Sequence, residues 1–214
     1  MSRGMKAALA LSLLLNVLLL AGSAWVVSQV GARPLAEQTG IVEPRRPAYD
    51  FYAGERFDEL PGAPVVVIGD SQAENGPWSE LLDEPAAVRG QGGATTAEIA
   101  GWAATVPDAT ERVIVLAGSN DVLLGTDHGQ LRADAEHLYT ALPGEVVAVG
   151  VPPLAGREAE AAAANAVLRD AADAAGATWL DPTEALAGPG LLRHDGVHLT
   201  GAGYEALAGL LRTP

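Results

Sequence analysis

The chain of 214 residues has room for one globular domain of ordinary size and a short appendage, but not for two full domains. Its 27 acidic against 13 basic residues give a formal net charge of -14, which repels phosphate backbones and argues against nucleic acid as a partner. The absence of cysteine rules out a disulfide framework and a thiolate zinc site, and with aromatics at 5% the core must be built from Ala, Val and Leu.

Arg3 and Lys6 precede a run over 7–27 that only Ser12, Asn16, Gly22 and Ser23 interrupt with non-apolar side chains. As a helix it would measure roughly 30 Å, the thickness of a bilayer core. The pattern predicts a signal peptide or signal-anchor helix over 1–27, with its basic end cytoplasmic and the remainder of the chain extracytoplasmic. Gly22-Ser23-Ala24 and Val30-Gly31-Ala32 both fit a signal peptidase, so the protein is either membrane-anchored or secreted. Residues 28–63 read as a tether marked by Pro34, Pro44, Pro47 and Arg45-Arg46. Tyr49, Phe51, Tyr52 and Phe57 in its second half are expected to pack on the domain surface, a lid or a membrane contact being the alternatives.

From 64 to 214, short β-branched runs alternate with longer Ala-rich segments, the pattern of βα units around a parallel sheet. Strands are expected at Val65-Val66-Val67-Ile68, at Ala86-Ala87-Val88-Arg89, and over 112–117, 145–151 and 178–180. Helices are expected over 96–106, 130–142, 158–175 and 201–211, with Gly144 and Gly176 as stops. No internal repeat is present.

In open α/β sheets ligands bind beyond the carboxyl ends of the strands. There the chain carries Gly69-Asp70-Ser71, Gly90-Gln91-Gly92-Gly93 and Gly118-Ser119-Asn120-Asp121, and near its C-terminus His194-Asp195-Gly196-Val197-His198. A hydroxyl nucleophile, a backbone donor loop, an amide donor and a histidine are together what acyl transfer requires. His194 and His198 also stand at i and i+4, as in helical zinc motifs, but Gly196 opposes a helix and Asp195 occupies the place of the catalytic Glu. The glycine loop lacks the third glycine of a dinucleotide motif, Thr95 standing there instead. His128 and His137 have polar neighbours and read as exposed.

The four blocks, in this order, resemble those of the SGNH or GDSL-type serine esterases. The text around Arg89-Gly90-Gln91-Gly92-Gly93-Ala94-Thr95-Thr96 is similar to the branch of platelet-activating-factor acetylhydrolase-like and lysophospholipase-like esterases. The resemblance implies an α/β fold, a three-layer α/β/α sandwich on a flavodoxin-like parallel five-stranded sheet, with an N-terminal apolar helix ahead of it. It implies Ser71 as nucleophile, His198 as general base and Asp195 as the carboxylate that orients it. The oxyanion donors would be Ser71, Gly93 and Asn120, with no cofactor and no metal. The expected activity is hydrolysis of carboxylic esters, short acyl groups on lipids or glycans, through an acyl-Ser71 intermediate. An O-acyltransferase acting on envelope glycans and a catalytically silent envelope-binding module are the alternatives. Two positions depart from the family: Gln72 stands where its name expects Leu, and Ala94 where many relatives carry Asp. Neither is one of the four catalytic positions; both bear on what the resemblance implies for the shape and polarity of the acyl pocket, and so for the substrate.

Overall fold

The computed structural model describes residues 3–30 and 57–212. The second peptidase site runs past 30, and with Pro34, Pro44, Pro47, Tyr49, Phe51 and Tyr52 it lies outside the described residues. The chain divides into two compact units, Met1–Pro47 and Ala48–Pro214. The first contributes one 28-residue helix, α1 (Arg3–Val30), on which Leu13, Leu14, Leu15, Leu18, Leu19 and Leu20 are exposed. Its side chains are described without a break only over 12–23. Among the described residues no helix is long and apolar enough to cross a membrane.

The second unit is built on five parallel strands: β1 (Val65–Gly69), β2 (Ala86–Gly90), β3 (Arg112–Leu116), β4 (Glu145–Val149) and β5 (Thr178–Leu180). Their order in the sheet is β2-β1-β3-β4-β5, so the direction of winding reverses at β1. Period-2 alternation sends side chains to opposite faces of the sheet. Val66, Ile68, Val113 and Val115 enter one core, and Val65, Val67, Ile114 and Leu116 the other.

Helices cover both faces, giving the three-layer α/β/α sandwich. α2 (Ser71–Glu74), α3 (Trp78–Leu82) and α8 (Gly201–Leu211) close one core through Ala73, Trp78, Leu207 and Leu211. α4 (Thr96–Ala100), α6 (His128–Ala141) and α7 (Glu158–Ala175) close the other. α7 presents Ala161, Ala164, Leu168, Ala171 and Ala172, one helical face of mostly methyl groups that lets it pack closely. Between these elements, α5 (Ser119–Leu124) follows β3 directly.

One sequence expectation changes. The helix over 96–106 ends at Ala100, after a start fixed by a capping box between Thr95 and Glu98. Gly101 weakens its continuation, and Ala103–Thr105 tightens into a 3-10 turn. Phe57, at the end of the expected tether, packs on the domain: it is buried against Trp102, ring centroids 5.6 Å apart, and lies under the guanidinium of Arg89. Arg89 also donates to the carbonyls of Leu60 and Pro61, fastening this segment to the domain.

At the first βα turn, Asp70 caps α2 by accepting the N–H of Gln72 at 2.8 Å, while its second oxygen, Oδ2, is buried close to the Ser119 side chain. Burial pushes this carboxyl up to about 7, against the opposing pull of the Gln72 N–H. From the ordinary carboxylate range up to pH 7, the unfolded chain therefore releases the proton that the native protein keeps. The contribution of the neutral acid to stability is full at low pH and is lost as pH rises through about 7. Asp70→Asn keeps the cap oxygen and removes the titration. Its stability relative to the parent should rise by on the order of 3 kcal/mol between pH 4 and pH 8. Urea denaturation of both proteins across that range checks this; a difference that does not change with pH contradicts it.

Candidate active site

The parallel register brings the sequence blocks to one end of the sheet. Gly69 pairs in register with Gly90 on one side and with Leu116 on the other, so β1, β2 and β3 end at the same level. Ser71 follows β1 by two residues, Gly93 follows β2 by three, and Asn120 follows β3 by four. The fourth block is a loop over 191–200, closed by a bridge between Leu192 and Leu199 and by the Arg193 N–H donating to the His198 carbonyl at 2.8 Å. Within it Gly196 takes φ +69° and rests against Ala155, so 194–198 turns and is not helical.

This turn sets His198 between two partners. Its Nε2 lies 3.1 Å from Ser71 Oγ, and its Nδ1 lies 3.0 Å from Asp195 Oδ2. The other oxygen of Asp195, Oδ1, accepts the backbone N–H groups of His198 at 2.9 Å and Val197 at 3.0 Å. These bonds, with that of the His198 ring, hold the Asp195 carboxyl well below the usual carboxylate range. An ionised carboxylate only accepts, so Nδ1 must carry the proton, and in the neutral ring Nε2 is left to accept from the Ser71 hydroxyl. Both ring nitrogens of His198 are thereby engaged, which leaves none for a metal. His194 is exposed and bonds to neither Ser71 nor Asp195. His128 and His137 are likewise exposed.

Ser71 is the first residue of α2, with the capping position taken by Asp70, so its N–H is one of the unpaired donors of a helix start. Gly93 adopts φ +83° on an exposed loop, with open space where a side chain would stand. Among the described residues, neither N–H has a protein acceptor. The loop lies over Ser71: a Cβ placed on Gly92 would come within 3.8 Å of Ser71 Cβ, and the Gly92 N–H is anchored on Glu74 at 2.8 Å. Asn120 donates one Nδ2 hydrogen to the Ala94 carbonyl at 2.9 Å, which fixes the amide orientation and leaves its second hydrogen available. Asp121 ties the same two loops by accepting the N–H and hydroxyl of Thr96 at 2.9 and 2.8 Å.

The two departures from the family pattern are both buried. Ala94 acts through its carbonyl, which any residue supplies, and its methyl group is buried. Gln72 is 1% exposed and points into the protein, donating to the Val197 carbonyl at 2.8 Å. Sequence reasoning singled out neither Gln72 nor Glu74 and Tyr204 as site residues; the one signal for Gln72 was its mismatch to the block. A cavity of about 670 Å³ opens beside the histidine, walled by His198, Asp195, Arg193, Asn75, Leu81 and Glu205. Ser71, Gly93 and Asn120 are not among its walls.

Residues 48–206 match the family model described as GDSL-like lipase/acylhydrolase. Comparison with the curated proteins finds no match. Among solved structures, a Streptococcus pneumonia protein described in terms of platelet activating factor is 20% identical, with a TM-score of 0.65 over 88% of this chain and 97% of that one. A carbohydrate esterase family 3 protein from Talaromyces cellulolyticus is 19% identical, with a TM-score of 0.57 over 69% and 93% of the two chains. The aryl esterase of M. smegmatis is 18% identical, with a TM-score of 0.53 over 69% and 95%. At these identities the likeness is one of fold. The family match over well over half of the chain, on a sheet whose register gathers three of the four sequence blocks at one end, makes this chain a member of the GDSL-like lipase/acylhydrolase family and an ester hydrolase.

Proposed function

We propose that the protein hydrolyses short-chain carboxylic esters through an acyl-Ser71 intermediate, on the outer side of a membrane. The observation that carries this reading is the unbroken hydrogen-bond path Ser71 Oγ to His198 Nε2 and His198 Nδ1 to Asp195. Ser71 Oγ attacks the ester carbonyl carbon while its proton passes to His198 Nε2. The charge that develops on the carbonyl oxygen meets the N–H groups of Ser71 and Gly93 and the free Nδ2 hydrogen of Asn120. When the tetrahedral intermediate collapses, the C–O bond to the alcohol breaks and the alcohol leaves with the proton from Nε2. Water then attacks the acyl-Ser71 carbonyl, gives its proton to His198, and the acid departs as Ser71 Oγ regains a proton. Asp195 stays ionised throughout and stabilises the imidazolium.

This sequence also assigns the cavity. The leaving oxygen takes its proton from His198, so the alcohol part of the ester lies on the histidine side, where the space of about 670 Å³ opens. Arg193, Asn75 and Glu205 give that space hydrogen-bonding walls, and Leu81 an apolar one, which suits a polar alcohol such as a sugar or a lipid headgroup. Membrane attachment rests on α1. Leu13, Leu14, Leu15 and Leu18, Leu19, Leu20 cover every side of the helix, a surface that burial in lipid would satisfy, and the charges of Arg3 and Lys6 favour a cytoplasmic start.

With a panel of chromogenic acyl esters, Ser71→Ala should abolish turnover without loss of fold; retained hydrolysis removes Ser71 from its role. Asn120→Ala should lower kcat by roughly 10²-fold at little cost in KM, since its donor matters once the oxyanion forms. A change confined to KM would make Asn120 a ground-state contact instead. For the location, the full chain in fractionated cells should remain with membranes through carbonate washing or appear outside the cell shortened by cleavage. Full-length protein in the cytosolic fraction contradicts it.

A further inference from the structure

We propose that Gln72 is a positioning residue, a buried strut that sets the distance between nucleophile and base. The inference rests on the roles just assigned to Ser71 and His198. Gln72 adjoins Ser71 in the chain, and the carbonyl it binds belongs to Val197, the residue before His198. The side-chain amide thus crosses between the two catalytic segments, joining the residue after Ser71 to the residue before His198. Bond lengths of 2.8 Å for the strut and 3.1 Å for the catalytic contact are set together by one rigid bracket.

The other end of the bracket is fixed as well. The Tyr204 hydroxyl donates to the Gln72 backbone carbonyl at 3.1 Å and lies 3.4 Å from its Oε1. Tyr204 is buried on α8 and packs edge-on against Trp78, ring centroids 5.8 Å apart, while Trp78 Nε1 donates to the Ala73 carbonyl at 2.7 Å. Both residues after the nucleophile, Gln72 and Ala73, are therefore held through their carbonyls by aromatic donors. A leucine at 72 fills this space but offers no donor to Val197, whose carbonyl then loses its Gln72 partner. The amide in this chain does what packing alone must do where the position is apolar: it specifies where the histidine loop stands relative to α2.

Position matters steeply here, because a misplacement of about 1 Å between reacting groups can cost on the order of 10²-fold in rate. Gln72→Met keeps the length and removes the donor. It should lower kcat for a short-chain ester about tenfold or more, with KM changed less than about twofold. Tyr204→Phe loosens only the far end of the strut and should lower kcat by about threefold; combined with Gln72→Met it should cost no more than Gln72→Met alone. Rates are read per folded molecule, with melting temperature measured in parallel. An unchanged kcat with a lower melting temperature would make Gln72 a packing residue and overturn the proposal, as would a loss confined to KM. If Gln72→Met does not fold, Tyr204→Phe decides in the same way. Ser71→Ala assayed alongside separates the two readings: if it retains turnover, the nucleophile assignment has failed, and if it is inert while Gln72→Met keeps the parent kcat, only the strut has.

Discussion

Ser71 and His198 stand 127 positions apart, and the contact between them is a single hydrogen bond of 3.1 Å. Closing a loop of that length costs roughly 4 kcal/mol in chain entropy before any constant is added, whereas one hydrogen bond returns a net of about 1 kcal/mol. The catalytic contact therefore cannot assemble itself. It exists because the sheet, the cores on its two faces and the bracket at Gln72 have already placed its ends. Everything chemical in this molecule is downstream of that constraint.

The sheet meets most of it. Three strands ending at one level, with the winding reversed at β1, deliver the nucleophile, the glycine loop and the amide donor to neighbouring points. The loops are then cross-tied: Glu74 to Gly92, Asn120 to Ala94, Asp121 to Thr96. The histidine arrives from elsewhere in the fold, on a loop closed on itself through Leu192 and Leu199 and held from outside by Ala155 and Gln72. Asp195 serves that loop twice. One oxygen organises the turn through two backbone N–H groups, the other fixes the ring tautomer, and because the pair is more than a third exposed its worth lies in orientation more than in stability.

The parallel sheet was legible because buried strands announce themselves as short apolar runs, and all five strands start where the expected ones start. Ser71, Gly93, Asn120, Asp195 and His198 were legible as candidates because each stands in a block whose order along the chain matches the family. What escaped the sequence was short or long-range. α2, α3 and α5 span 4–6 residues, too few for a helical period to register. The inward role of Gln72 depends on a partner 125 positions away, and although packing of Phe57 on the domain was expected, its partners, a guanidinium and an indole, are linked to it by no local pattern.

The central claim is that the path from Asp195 through His198 activates one hydroxyl, that of Ser71. Reaction of the full-length protein with a fluorophosphonate, followed by peptide mass spectrometry, reads that activation directly. The account predicts one phosphonyl group on the peptide carrying Ser71, and its loss in His198→Ala although Ser71 is still present. Labelling of a different residue, or turnover of esters by protein that remains unlabelled at Ser71 under excess reagent, would contradict it.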